Sequence, residues 1–448
     1  MYKKTVISIL ILLTLIISST ITIGLSTQSN KNKVEEIETD LNLKIDSIQG
    51  VYGFIIPVNL SQEYKIQTAI SKLVNELLRK DVSVYWITSD LSILSKKLNN
   101  DSISSKREFE TGSYLVLMTG NKEKYNITLA TSNYYKKRYE VKIFKIVELP
   151  KILRVYKLNI PKIAFYNETN VGFRSYSKNL YNAGFIYQKI LSRTDILQNL
   201  TKENFNIIIW GGGNNNLTDA FKVHCSIKGF LARNKIRRFI ENGGGYVGSC
   251  YGGIMAASGG YHPIGLPREF PYSGILKFLP LQLKLIDANV FKGFVGIGSL
   301  SVRIINPDNP ITFGLPEIIE NNNMLGGPIF IERKTGKSNT DVVAVIEDTN
   351  RDTWIWGPMM QNSIWWNSKI ISYKEKIRIA NRWMNYSIGK ALWVTGDFGK
   401  GKVVAFGSHP EFLSSYNPYH PVGFPPRVIY NSVFYVTSDG PSTINFVN

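Results

Sequence analysis

Tyr246-Val247-Gly248-Ser249-Cys250-Tyr251-Gly252-Gly253-Ile254-Met255-Ala256-Ala257 is the stretch on which the reading of this chain turns. A short apolar strand runs into Gly-x-Cys-x-Gly and out into a helix of small residues. This is the logic of the hydrolase Gly-x-Ser-x-Gly elbow, with sulfur in place of oxygen. Glycines two before and two after the central residue let strand and helix approach closely around a strained turn. Such a turn exposes the Cys250 sulfur at a helix N-terminus, which favours its thiolate near neutral pH. The backbone N–H of Tyr251 is one candidate oxyanion donor. The competing reading is a packing cysteine in a glycine-rich turn, and the symmetric glycine placement after a strand weighs against it.

Upstream, Ile227, Phe230, Leu231, Ile236, Phe239 and Ile240 share one helical face, and that pattern stops at Gly243-Gly244-Gly245. Before it, Phe205-Asn206-Ile207-Ile208-Ile209-Trp210 is a continuous apolar strand ending in Gly211-Gly212-Gly213. In an open parallel sheet, ligands sit beyond the carboxyl ends of the strands, so this loop lies on the functional edge. An N–H of Gly211, Gly212 or Gly213 is the second candidate oxyanion donor. Earlier still come a strand at Pro161–Tyr166, a polar loop at 167–172, a helix at 176–183 and a strand at 187–191. Strands alternating with helices predict an α/β domain with a parallel sheet over residues 160–440.

Downstream, a hairpin turning at Gly399-Lys400-Gly401 delivers Gly407-Ser408-His409-Pro410-Glu411 at the end of its second strand. A histidine placed there can present its imidazole to a thiol, while a carboxylate two residues on holds the ring. Cys250, His409 and Glu411 are therefore the candidate triad. His262 follows the elbow helix and could line a pocket, whereas His420 sits among prolines and reads as a loop residue. Cys225 beside His224 is no ligand set, and reads as packing. Two cysteines in all exclude a disulfide scaffold and a four-cysteine zinc site. No metal and no cofactor is expected.

The glycine loop, the Gly-Ser-Cys-x-Gly-Gly elbow and the Gly-Ser-His-Pro-Glu segment together resemble the class I glutamine-amidotransferase-like superfamily. Within it, the chain is most similar to the biotin-protein ligase N-terminal-domain-like group. The resemblance covers roughly Pro161 to Gly440. It implies a flavodoxin-like parallel sheet and a Cys-His-Glu triad at Cys250, His409 and Glu411. Ligase activity is not implied, because the chain ends soon after Pro441 with no ligase catalytic domain following. Two departures narrow the expectation further. Ile254 stands where glutamine amidotransferases carry Gln, four residues after the nucleophile, and Tyr251 stands where related intracellular peptidases carry His.

Between elbow and His409 lies a long insert, Gly259 to Ile388, with Trp354, Trp356, Trp365 and Trp366, and with Tyr272, Phe278 and Phe294 earlier. Clustered tryptophans either build a core or form a platform for sugar rings or apolar groups.

The rest of the chain frames this domain. Met1-Tyr2-Lys3-Lys4 precedes an uncharged, Ile/Leu-rich stretch, so residues 1–25 read as a signal peptide or membrane anchor, the anchor being favoured. Residues 26–45 read as a linker, and strand, helix and strand from Tyr52 to Met118 imply a small α/β domain over 46–155. A formal charge of +19 admits anionic partners. The basic residues are scattered without runs or aromatic interleaving, so no nucleic-acid partner is expected. The expectation is thus an extracytoplasmic, membrane-anchored or secreted cysteine hydrolase acting on a small-molecule or peptide-like amide. The alternative is a non-catalytic cell-surface binding module on the same scaffold.

Overall fold

Continuous apolar runs become interior strands here because both of their faces are covered. The computed structural model describes residues 39–58, 63–98, 104–118, 120–166, 170–186, 188–212, 227–260, 276, 278–285, 297–325, 328–332, 340–349, 372, 374, 378, 381, 384–411 and 427–446. Among these the fold is mixed α/β, with several helices and two sheets, one of them a large sheet combining parallel and antiparallel strands.

The first sheet has nine strands. They are β1 (Thr39–Leu43), β2 (Gly53–Ile56), β3 (Val84–Ile87), β4 (Leu91–Lys97), β5 (Ser104–Phe109), β6 (Tyr114–Leu117), β7 (Phe144–Ile146), β8 (Ile152–Lys157) and the late strand β21 (Pro441–Phe446). Their order is β1-β21-β8-β3-β6-β2-β7-β4-β5. All neighbours run antiparallel except β1 and β21. Helices α1 (Tyr64–Arg79) and α2 (Lys122–Tyr139) belong to this part of the chain. In α1, Ala69, Ile70, Leu73, Val74, Leu77 and Leu78 are buried at helical spacing, as an amphipathic helix requires.

The second sheet begins with β9 (Ile163–Tyr166), α3 (Asn170–Asn182), β10 (Gln188–Leu191), α4 (Arg193–Asn199), β11 (Ile207–Trp210), α5 (Ile227–Glu241), β12 (Gly245–Ser249) and α6 (Tyr251–Ala256). It continues through β13 (Ala257–Gly260), β14 (Leu279–Leu285), β15 (Ile297–Ile304), β16 (Ile318–Leu325), β17 (Pro328–Glu332) and β18 (Thr340–Asp348). The hairpin β19 (Ala391–Phe398) and β20 (Gly401–Phe406), then α7 (Arg427–Thr437), complete it. The strands β10-β9-β11-β12-β20 lie in that order and are parallel throughout. Beyond β20 the sheet turns antiparallel through β19, β17 and β14, with β18 also on β19.

Side chains of the parallel strands alternate between two buried layers, the period-2 rule with both faces covered. Ile163, Phe165, Ile207, Ile209, Val247 and Val404 face a core shared with Phe54, Trp86 and Val116 of the first sheet and with Val433 and Phe434 of α7. Ala164, Tyr166, Ile208, Trp210, Tyr246, Val403 and Ala405 face the opposite core, closed by Ile236, Phe239 and Ile240 of α5. Glu38 to Asn448 accordingly forms one compact unit.

Three expectations change. The stretch 26–45, read as linker, contains β1, which pairs with β21. The sheet of the small domain read over 46–155 also takes in residues 441–446, beyond the bounds given for either domain. Third, among the described residues no helix is long and apolar enough to cross a membrane. Spanning needs about 20 apolar residues, and α2, at 18, carries Lys122, Glu123, Lys124, Lys136, Lys137 and Arg138. The membrane partner and the membrane-anchored location are corrected on this finding; the segment read as an anchor, residues 1–25, lies outside the described residues.

Candidate active site

The strand β12 is buried along its whole length and ends at Ser249. Cys250 follows with φ +49 and ψ −105, a backbone conformation that residues with a side chain rarely adopt. Such strain costs of order 1–3 kcal/mol and persists only where the surroundings hold it. Here Cys250 N–H donates to Phe406 O of β20 at 2.9 Å, and Cys250 O accepts from Ile254 N–H at 2.9 Å as α6 begins. The flanking glycines are required by contact. A Cβ on Gly252 would lie 1.9 Å from Trp210 O, one on Gly253 would lie 2.5 Å from Phe406 O, and one on Gly248 would lie 2.6 Å from the Gly252 backbone. The absence of these side chains draws the ends of β11, β12 and β20 onto the first turn of α6. Tyr246 Oη, donating to Gly252 O at 2.8 Å, fastens the turn from one side.

His409 reaches the same place from the end of β20. Its backbone N–H donates to Asn323 O of β16 at 2.9 Å, and Ser408 Oγ before it accepts from Trp393 Nε1 at 3.1 Å. The imidazole lies directly on the glycine loop: a Cβ on Gly212 would meet Cε1 at 2.0 Å, Nδ1 at 2.8 Å and Nε2 at 3.0 Å. Nδ1 and Glu411 Oε1 are 2.8 Å apart, so with an ionised carboxylate the Nδ1–H donates to it. Ser249 Oγ donates to the same Oε1 at 2.9 Å, and Asn179 Nδ2 of α3 donates to Glu411 O at 2.8 Å.

Burial pushes the His409 pKa down, but the charges of Cys250 and Glu411 and the hydrogen bonds to both outweigh it and hold it up, at about 10. Tyr176 of α3 has its hydroxyl beside Ser249; burial, then the Glu411 charge, raises its pKa well above the usual phenol value.

His409 and Glu411 are paired directly, and Cys250 lies close enough to act on the His409 pKa. The expected exposure of the sulfur does not hold: Cys250 is 3%, His409 1% and Glu411 0% exposed. Gly211 and Gly212 follow β11 and are buried, while Gly213 lies outside the described residues. Tyr251 opens α6, 6% exposed, its ring 6.5 Å from that of Trp210, which stacks on Tyr166 at 3.8 Å. Cys225, His224, His262, His420, the tryptophans at 354, 356, 365 and 366, Tyr272 and Phe294 all lie outside the described residues. Phe278 is buried in the core beside Tyr246, the rings 5.0 Å apart. Among the described residues no group of three or more His, Cys, Asp or Glu side chains could hold a metal ion.

Sequence reasoning passed over Ser249 and Asn179. Ser249 carried a signal, a hydroxyl in an otherwise apolar and glycine strand whose every position is buried. Asn179, inside a helix 232 residues upstream of Glu411, carried none.

No family model matches the sequence, and no curated protein does. Among solved structures, a GMP synthase-like protein from Thermoplasma acidophilum is 11% identical, the match covering 61% of this chain and 93% of that one with a TM-score of 0.33. A cytoplasmic protein of Salmonella typhimurium is 14% identical over 61% of this chain and 98% of its own, also at 0.33. A beta-galactosidase from Bacillus circulans sp. alkalophilus is 10% identical over 63% of this chain and 31% of its own, at 0.31. Similarities this low carry no weight for fold or activity.

Proposed function

We propose that this chain is a cysteine-dependent amidase or hydrolase on a flavodoxin-like scaffold of the class I glutamine-amidotransferase-like kind. The strand order β10-β9-β11-β12-β20 supports the scaffold, because in chain order it reads 2-1-3-4-5 with every neighbour parallel. The observation that carries the reading is Cys250 at φ +49 between β12 and α6, close enough to a buried histidine to hold its pKa up, with Glu411 gripping that ring at Nδ1.

The chemistry follows from these positions. Cys250 Sγ attacks the carbonyl carbon of an amide, forming the C–S bond and placing negative charge on the carbonyl oxygen. The Tyr251 N–H and an N–H of Gly211 or Gly212 are the donors for that oxygen. His409, as imidazolium, gives its proton to the leaving amine as the C–N bond breaks, leaving a thioester. Water then attacks the thioester, with neutral His409 taking its proton, and the thiolate departs. Glu411 keeps the ring oriented and the imidazolium stabilised throughout. A small-molecule or peptide-like amide is the substrate class this chemistry takes.

One observation favours a second reading, a non-catalytic binding module: all three side chains are almost inaccessible. Treating the folded protein with a broad thiol-reactive amidase probe and mapping the modified peptide separates the two. Modification at Cys250 that vanishes in Cys250→Ala supports the enzyme; no modification of the folded protein at any pH supports the binding module.

A further inference from the structure

We propose that Ser249 is a positioning residue, its hydroxyl holding the Glu411 carboxylate in the orientation that grips His409. The proposal rests on the triad reading above and deepens it. Ser249 is fully buried and immediately precedes Cys250, so the strand end that sets the thiol also sets the acid. A single oxygen, Glu411 Oε1, receives both Ser249 Oγ–H at 2.9 Å and His409 Nδ1–H at 2.8 Å. The other, Oε2, is buried with no hydrogen-bond partner among the described residues. Asn179 secures the Glu411 backbone and leaves the carboxylate's rotation untouched. Apart from the histidine itself, the described residues therefore offer only Ser249 to fix which oxygen meets Nδ1. Tyr176 stays protonated beside Ser249, so it adds no second negative charge to the chain of contacts.

A hydroxyl that merely satisfied a buried carboxylate would matter to stability and not to the imidazole. Removing the positioning hydroxyl has two opposed effects. It leaves the carboxylate a better acceptor, which would raise the His409 pKa, and it frees the carboxylate to turn Oε1 away, which lowers it. Because the unpartnered Oε2 offers nothing to hold the rotation, the second effect dominates.

The test is histidine-selective NMR titration of the full chain, which has four histidines, His409 being assigned by its loss in His409→Asn. From a midpoint of about 10 in the wild type, Ser249→Ala should lower the His409 midpoint by roughly one unit or more, the scale of one hydrogen bond to a charged group. Ser249→Thr, which keeps the hydroxyl, should restore it. A midpoint in Ser249→Ala unchanged or raised, with native circular dichroism, overturns the proposal. Should Ser249→Ala not fold, Ser249→Cys, similar in size with a weaker donor, must show a lowered midpoint or the proposal is likewise overturned. Cys250→Ala separates this from the reading beneath it. If the His409 midpoint does not fall when the thiol is removed, the thiol–imidazole pairing itself is wrong; if it falls there but not in Ser249→Ala, only the positioning role is wrong.

Discussion

Replacing Gly212 by alanine probes the site at its tightest contact. The added Cβ would sit 2.0 Å from His409 Cε1, so the ring must retreat by about 1.5 Å to reach ordinary carbon–carbon contact of ~3.5 Å. It has nowhere free to go: Nδ1 is tied to Glu411 at 2.8 Å, the backbone N–H to Asn323 at 2.9 Å, and the side chain is buried. Overpacking of this kind costs about 1–3 kcal/mol, and misplacing a reacting group by ~1 Å costs on the order of 100-fold in rate. Urea unfolding gives the stability, compared at constant m-value. The measurement is made in wild type and again in His409→Ala, where the obstructing atoms are gone. Gly212→Ala should destabilise the wild type by ~1–3 kcal/mol and the His409→Ala protein by much less, a coupling of about 1 kcal/mol or more. An equal cost in both backgrounds, or none in wild type, would mean that the imidazole does not rest on the glycine loop.

Three further outcomes follow from the same geometry. Once a turnover assay is in hand, Cys250→Ala and His409→Ala should each abolish activity and Glu411→Gln should leave a residue of it. His409→Ala/Glu411→Gln should then be little worse than His409→Ala alone, and additive losses would show that the three residues do not act as a unit. Because Cys250 sits at φ +49, Cys250→Gly should be more stable than Cys250→Ala by roughly 1 kcal/mol; the reverse order in thermal unfolding would deny the strain. The His409 pKa is raised from an unfolded value of about 6.5 to about 10. Its stabilising contribution is thus complete below pH ~6.5 and is lost as pH rises through ~10, at up to about 1.4 kcal/mol per pH unit. The stability advantage of wild type over His409→Asn should shrink across that window, and an advantage that grows with pH contradicts the assignment.

What the sequence revealed and what it hid divide along physical lines. The elbow was legible because its glycines are demanded by contacts within a few residues or with the next strand, and those demands leave a local pattern. Strands β9, β11 and β12 were legible because burial on both faces forces unbroken apolar runs. The hairpin β4–β5 was not seen: Ser92, Lys96, Lys97, Ser104, Lys106 and Arg107 make its surface polar, and one buried face leaves only a weak alternation. The seat of β21 between β1 and β8 could not be read, since it depends on a pairing across almost the whole chain. Exposure of Cys250 was misjudged for a similar reason. Cys250 is 3% exposed where the ends of β11, β12 and β20 converge on α6, and no local motif records how closely separate strand ends approach. Ser249 could have been found by asking why a hydroxyl stands in a buried strand; Asn179 could not.

The proposed chemistry depends above all on Cys250 working as a thiolate paired with His409. Its most direct test is the pH-resolved rate of iodoacetamide alkylation, mapped by peptide to Cys250 or Cys225, in wild type and His409→Asn under native conditions. Cys250 should be modified at a rate that persists to mildly acidic pH in wild type and collapses there in His409→Asn. Preferential modification of Cys225, or a Cys250 profile that is the same with and without His409, would contradict the pairing.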